Sequence, residues 1–278
     1  MSSSVLRASV AQINVELLEL DANLAKHADY IQQARQQGSE LLLFPELSLT
    51  GYQLGRDTPR AAMRDDDERL HQLAALAPEL CVLVGFVEQA SPGEYYNAMA
   101  VLQHGRVLAV HRKLNPPTYG GLEEGKWYSR GQRLTRSEIR RHWSASTLIC
   151  ADLWNPALVH CALLQRPELL LAPINSASAI VSDEFSNEQN WLTNVGFYAM
   201  TYGTPLLMAN RYGAEKDAWF WGGSRILGPR GETLAEAGDG EMLISAELTL
   251  DDIAAARFDL PTIRDADTPL IRRLLDEL

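Results

Sequence analysis

Three residues of different chemistry each follow an apolar run of strand length and open a loop: Glu46 after 41–44, Lys113 after 106–111, and Cys150 at the close of 146–150. A thiol, a carboxylate and an ammonium are the parts of a cysteine hydrolase in which a carboxylate takes the thiol proton. Cys150 lies in Leu148-Ile149-Cys150-Ala151-Asp152-Leu153-Trp154, a strand end with a helical stretch close behind it. Free backbone N–H groups at such a junction favour a thiolate and can hold an oxyanion. A structural thiol is the commoner role of a cysteine, so Cys81 and Cys161, inside a strand-like and a helix-like run, are assigned to the core. None of the six histidines stands in a comparable loop, which leaves the base to a carboxylate.

Glu46 follows Phe44-Pro45, where proline ends the strand, and precedes the turn-like Thr50-Gly51-Tyr52. That setting implies partial burial, which raises a carboxylate's pKa and makes it a better proton acceptor near neutral pH. Lys113 leads into Asn115-Pro116-Pro117-Thr118-Tyr119-Gly120, a rigid loop from which an ammonium could stabilise a tetrahedral oxyanion. Taken singly, Glu46 and Lys113 would read as solvated surface charges. What marks them is their shared position beyond strand ends, where open α/β sheets gather ligand groups.

The elements that must hold these residues alternate. A β-rich run over 6–12, helical spacing over 21–37 and the apolar run 41–44 form β-α-β. A second helical stretch over 60–77 precedes the apolar run 81–87, and 99–102 with 106–111 flank the turn pair His104-Gly105 as a hairpin. Then come a strand over 146–150, a helix over 157–164, a strand over 169–172, a helix over 184–202 and a strand over 206–210. Runs 222–227, 233–235 and 242–246 read as strands around Pro229-Arg230-Gly231. The pattern predicts an α/β chain with mixed sheets and outer helices. Beyond it, 254–258 reads as a short helix and 260–265 as extended chain.

Phe44-Pro45-Glu46 with Thr50-Gly51-Tyr52, Lys113 with Pro117-Thr118-Tyr119-Gly120, and Cys150 before Asp152-Leu153-Trp154 resemble the nitrilase superfamily of carbon–nitrogen hydrolases. The spacing agrees, with 67 residues from Glu46 to Lys113 and 37 from Lys113 to Cys150. Ala172-Pro173, Trp221-Gly222-Gly223-Ser224 and Gly228-Pro229-Arg230-Gly231 extend the likeness, which runs from about Val5 to Ala246. The resemblance implies a four-layer α-β-β-α sandwich, one domain over 1–278 with an extended tail from about 251, and assembly into a homodimer or larger homo-oligomer. It also implies a triad of Glu46, Lys113 and Cys150, with Glu124 of Tyr119-Gly120-Gly121-Leu122-Glu123-Glu124 as a fourth site residue, and neither metal nor organic cofactor. Tyr119, Ala151, Trp154 and Asn175 are the expected substrate contacts, with Trp191 near them.

The loop motifs look nearest to the amide-cleaving branches, among them the glutaminase domains of glutamine-dependent NAD synthetases, though no second, ATP-using domain follows here. The expected reaction is hydrolysis of a small amide to acid and ammonia through a cysteine thioester. Nitrile hydrolysis by the same triad is the alternative. Ala151 stands where relatives often carry a bulky aromatic or acidic residue, so a wider pocket is expected. Leu122 and Asn115-Pro116 also depart from the family pattern, which bears on specificity more than on chemistry. An acidic substrate would want an arginine near the site, with Arg130, Arg211 and Arg225 as candidates.

Composition narrows the remaining classes. The chain has 278 residues with a net charge of −11 and no Lys/Arg-rich run, which argues against a nucleic-acid partner. The 46% hydrophobic share is that of a cored globular protein. Met1-Ser2-Ser3-Ser4 runs into 5–15 without the pattern of a signal peptide, and no apolar window is long enough for a membrane span. Three cysteines make a disulfide framework improbable and point to a reducing, cytoplasmic setting. A non-catalytic binding module on the same fold and a metal hydrolase are the readings of other classes, the latter disfavoured by histidines without metal-ligand spacing.

Overall fold

Leu41 and Leu43 face one core and Leu42 another, as the period-2 geometry of a strand covered on both sides requires. The computed structural model, which describes residues 4–182 and 184–278, repeats this division throughout. Met1, Ser2 and Ser3, where the reading of the N-terminus begins, lie outside the described residues.

The first half of the chain runs β1 (Val5–Gln12), α1 (Leu20–Gln36), β2 (Leu41–Leu43), α2 (Thr58–Ala61), α3 (Glu68–Leu76), β3 (Cys81–Ser91), β4 (Glu94–Gln103) and β5 (Arg106–Arg112). The second half begins with β6 (Thr135–Arg140), β7 (Trp143–Thr147), α4 (Pro156–Leu164), β8 (Leu169–Ile174), α5 (Asn187–Tyr202) and β9 (Leu206–Asn210). The hairpin β10 (Tyr212–Glu215) and β11 (Ala218–Trp221), strands β12 (Arg225–Leu227), β13 (Thr233–Glu236) and β14 (Met242–Thr249), and helices α6 (Leu250–Asp259) and α7 (Thr268–Asp276) follow. One six-stranded sheet has the order β14-β1-β2-β3-β4-β5 and the other β13-β12-β9-β8-β7-β6. β1, β2 and β3 are parallel, as are β7, β8 and β9, and antiparallel strands complete both edges.

Leu6, Val10 and Leu83 of the first sheet pack against Trp143, Leu171 and Leu207 of the second, forming the central core. Ile31 of α1 and Leu73 of α3 cover the outer face of the first sheet. Val159 of α4, with Trp191 and Val195 of α5, covers that of the second. The result is the expected four-layer α-β-β-α sandwich, two sheets with helices outside.

The local differences have local causes. The helix expected over 60–77 is broken, because Met63 pairs with Val87 and Gln89 of β3 through both backbone groups, and Asp67 then caps α3 by accepting from Arg69 N–H. The strand expected to reach Cys150 ends at Thr147, since Cys150 takes a positive φ of 46° and begins a 3-10 turn. α5 starts after Ser186, whose side chain accepts from Gln189 N–H, rather than at Glu184. The strand expected from Gly222 starts at Arg225, after two positive-φ glycines. Cys161, assigned to the core from its helix, is exposed. Strands β6, β10 and β11 and helix α7 lie outside the expected elements; Leu270, Ile271, Leu274 and Leu275 of α7 recur at helical spacing, yet α7 has no buried residue.

Candidate active site

The turn that follows β2 carries Glu46, and its position depends on the strand beside it. A Cβ on Gly85 of β3 would meet Leu47 N at 2.3 Å and Pro45 O at 2.5 Å. Only glycine lets this turn lie against the sheet. Gly85 N–H in turn donates to Ser48 Oγ at 3.1 Å. Glu46 is thereby held completely buried, with 0% exposure, rather than partly so.

Lys113 leaves the end of β5 and is also 0% exposed. Its ammonium donates to Glu46 Oε1 at 2.6 Å and to Glu124 Oε1 at 2.7 Å. Among the described residues these are its only side-chain partners, so one of its three N–H groups is left over. Burial by itself would lower the lysine pKa, but the Glu124 and Glu46 carboxylates outweigh it and hold the ammonium charged well above the usual lysine range. Asn97 of β4 donates to both carboxylates, at 2.7 Å to Glu46 Oε1 and 3.1 Å to Glu124 Oε2. Tyr52 donates its hydroxyl to Glu124 Oε1 at 2.6 Å.

Glu46 Oε2 has no partner among the described residues. Burial pushes the Glu46 carboxyl up, Lys113 pulls it back and Glu124 adds to the rise, leaving it at about 7. Cys150 stands beyond β7 at the start of the 3-10 turn Cys150–Trp154, half-buried and in the left-handed region of backbone space. Burial first, then the Glu46 carboxylate, keep its thiol well above the usual range, against the opposing pull of Lys113 and of the Asn175 backbone N–H. Raised in this way, the resting thiol keeps its proton at neutral pH, the range in which the Glu46 carboxyl titrates.

Asp152 fastens the lysine loop to the cysteine turn. Its Oδ1 accepts from Leu114 N–H at 3.0 Å and Asn115 N–H at 2.7 Å, and its Oδ2 accepts from Ile149 N–H at 2.9 Å. Asn115 Nδ2 adds a bond to Ala151 O at 3.2 Å. Asn175, just past β8, reaches across the sandwich to donate to the backbone carbonyl of Glu46 at 2.6 Å. Strand ends from both sheets thus meet at one edge.

A cavity of about 310 Å³ opens over Cys150. Ala151, Trp154 and Asn175 line it, and Tyr119 stands at its rim, 44% exposed. Trp191 also lines it, with its ring 4.8 Å from that of Trp154. The candidate arginines do not. Arg130 is exposed, Arg211 is buried with Glu215, and Arg225 pairs with Glu236 at 2.9 Å. Glu123 is exposed, whereas Glu124 is 4% exposed within the charge cluster. Asn97 carried no signal beyond being an asparagine within an apolar strand, a position that type avoids without a partner. Among the described residues, no group of three His, Cys, Asp or Glu side chains could hold a metal ion, and no helix is long and apolar enough to cross a membrane.

The chain is 30% identical to a glutamine-dependent NAD(+) synthetase of Thermotoga maritima over 89% of its own length and 42% of that protein's. The chain therefore spans less than half the length of that relative. It is 28% identical to N-carbamoylputrescine amidase of Solanum lycopersicum, covering 92% of this chain and 91% of the relative. An amidase from Nesterenkonia sp. AN1, solved after Michael addition of acrylamide at its active site cysteine, is similar in structure with a TM-score of 0.81 at 25% identity, over 97% of this chain and 99% of that one. The carbon-nitrogen hydrolase family model matches residues 7–258, which take in every strand end gathered at this site, and the chain belongs to that family.

Proposed function

We propose that the protein hydrolyses a small amide to its acid and ammonia, with Cys150 as nucleophile, Glu46 as proton carrier and Lys113 as the cation that holds the oxyanion. Cys150 Sγ attacks the amide carbon while its proton passes to Glu46 Oε2. The carbonyl oxygen becomes an anion held by the spare Lys113 N–H and the Ala151 backbone N–H. Collapse breaks the C–N bond as Glu46 returns the proton to nitrogen, and ammonia leaves a thioester. A water then gives its proton to Glu46, with Glu124 in support, and attacks the thioester. When that second intermediate collapses, the proton returns to sulfur and the acid departs.

The observation that carries this reading is the unpartnered, buried oxygen of Glu46 within a charge cluster that acts on the Cys150 thiol. A carboxylate oxygen left without a donor is costly unless it has a proton to receive. The full-length coverage of the amidase relatives gives further support, as does the active site cysteine of the Nesterenkonia enzyme. The test is ammonia release from a panel of amides, carbamoyl amines and nitriles, run beside Cys150→Ala, with mass spectrometry of the acyl-enzyme. Release that depends on Cys150, with an added acyl mass on that residue, is expected. Release that survives Cys150→Ala would refute the nucleophile, and turnover of nitriles alone would replace the amide.

A further inference from the structure

The Thr50-Gly51-Tyr52 turn is pressed onto a buried ion pair that the proposed chemistry does not use. Gly51 takes a φ of 83°, and a Cβ there would meet Glu215 Oε2 at 2.7 Å and Leu17 Cα at 2.9 Å. With no side chain at that position, the turn points two successive backbone N–H groups at one carboxylate. Tyr52 N–H donates to both oxygens of Glu215 at 3.1 Å, and Gln53 N–H donates to Oε1 at 2.6 Å. Glu215 ends β10 and is 4% exposed.

A lone carboxylate at that depth would be costly, and Arg211 answers it. The guanidinium is fully buried, donates from Nη1 to Glu215 Oε2 and from Nη2 to the backbone carbonyl of Val15, and lies 4.5 Å from the centre of the Phe220 ring. Phe220 in turn packs edge to face with Tyr52, 6.2 Å between ring centroids. Tyr52 is therefore held twice, by its backbone through Glu215 and by its ring through Phe220, and both supports rest on Arg211. A buried ion pair is a weak source of stability, because desolvation offsets the attraction. What it supplies is direction, since a carboxylate with both oxygens fixed accepts N–H groups only along set lines.

That direction matters at the other end of the tyrosine. Its hydroxyl donates to Glu124 Oε1, the same oxygen that accepts from Lys113 Nζ at 2.7 Å. Two N–H groups of the ammonium are thus set by Glu46 and Glu124, and the third points where those two leave it. Resting on the amidase reading above, we infer that Glu215, fixed by Arg211, is a positioning residue: it seats Tyr52, whose hydroxyl holds Glu124, so that the spare Lys113 N–H meets the oxyanion. Arg211, Glu215 and Tyr52 are not among the described residues that line the cavity over Cys150, so they act on the reaction and not on substrate binding.

The experiment measures kcat and KM for Glu215→Gln, Tyr52→Phe and the double variant on the panel compound that the parent turns over fastest, with Cys150→Ala as background. Glutamine at 215 keeps the shape but sets an NH2 group against the N–H donors that the carboxylate accepted. Each single variant should lose about 10- to 100-fold in kcat, with KM held within about threefold. In the Tyr52→Phe background, Glu215→Gln should cost less than about threefold more, because the two act along one chain. Losses that multiply would overturn the inference, and so would a Tyr52→Phe enzyme with the parent's kcat. A purely structural role would lower the melting temperature and leave kcat per folded molecule unchanged, which would overturn it as well. Should Glu215→Gln not fold, Arg211→Lys, which keeps the buried cation without its fork, takes its place in the cycle under the same criteria. A parent with no Cys150-dependent release from any panel compound would overturn the amidase reading and this inference with it, whereas the other outcomes leave Cys150-dependent hydrolysis standing.

Discussion

Asp152→Asn is the sharpest probe of how the site is assembled, because the carboxylate accepts from three backbone N–H groups on two separate segments. An amide cannot repeat this. Its nitrogen placed at the Oδ2 position would face Ile149 N–H donor to donor, and placed at the Oδ1 position would lose both Leu114 and Asn115. The first arrangement loses least, one charge-assisted bond, and leaves one buried N–H unsatisfied. That is about 2–3 kcal/mol of stability. Ile149 immediately precedes Cys150, and Leu114 immediately follows Lys113, so the same change loosens nucleophile and oxyanion cation relative to each other. Displacement of reacting groups by about 1 Å can reduce rate by roughly 100-fold. Urea unfolding and steady-state ammonia release on the same preparation read both effects. A variant within about 0.5 kcal/mol of the parent, the range of an ordinary surface change, and of equal rate would refute the clamp.

Three further outcomes follow from the geometry. Because Glu46 must be ionised to receive the thiol proton and its carboxyl is raised to about 7, kcat/KM should fall as pH drops through that value, and the limb should vanish in residual activity of Glu46→Gln; a limb near the ordinary carboxylate range would count against Glu46 as base. Gly85→Ala should lose about 1–3 kcal/mol and most activity, since its Cβ would drive into the backbone of Pro45 and Leu47, whereas Gly196→Ala in α5, with nothing within 4 Å, should be neutral or stabilising by thermal melt. Tyr52→Phe removes the 2.6 Å bond to Glu124 Oε1 and should destabilise by about 1.5–3 kcal/mol in denaturant titration, with no effect expected if that bond is absent in solution.

The sequence by itself determined the alternation of strands and helices, because apolar runs such as 41–43 and 169–172 carry local periodicity that the chain must bury on both faces. It also marked Glu46, Lys113 and Cys150 as candidates through their positions next to strand ends, which are local signals too, and Glu124 through the resemblance of its loop to the family pattern. Tertiary structure alone decided which isolated polar residues complete the cluster. Asn97 lies 51 residues from Glu46 and 27 from Glu124, and its two bonds exist only because β4 runs antiparallel to β3 and brings it to the same edge. Burial was decided the same way. Arg211, a candidate for substrate binding by residue type, is consumed in an ion pair with Glu215, while Cys161 turns outward on α4 although its helix packs inward through Val159 and Leu163. The sheets' stacking, which no single segment encodes, also assembled the cavity over Cys150, whose lining side chains come from separate loops and helix α5. Periodicity is a property of neighbours in the chain, whereas hydrogen-bond satisfaction and charge pairing are properties of neighbours in space.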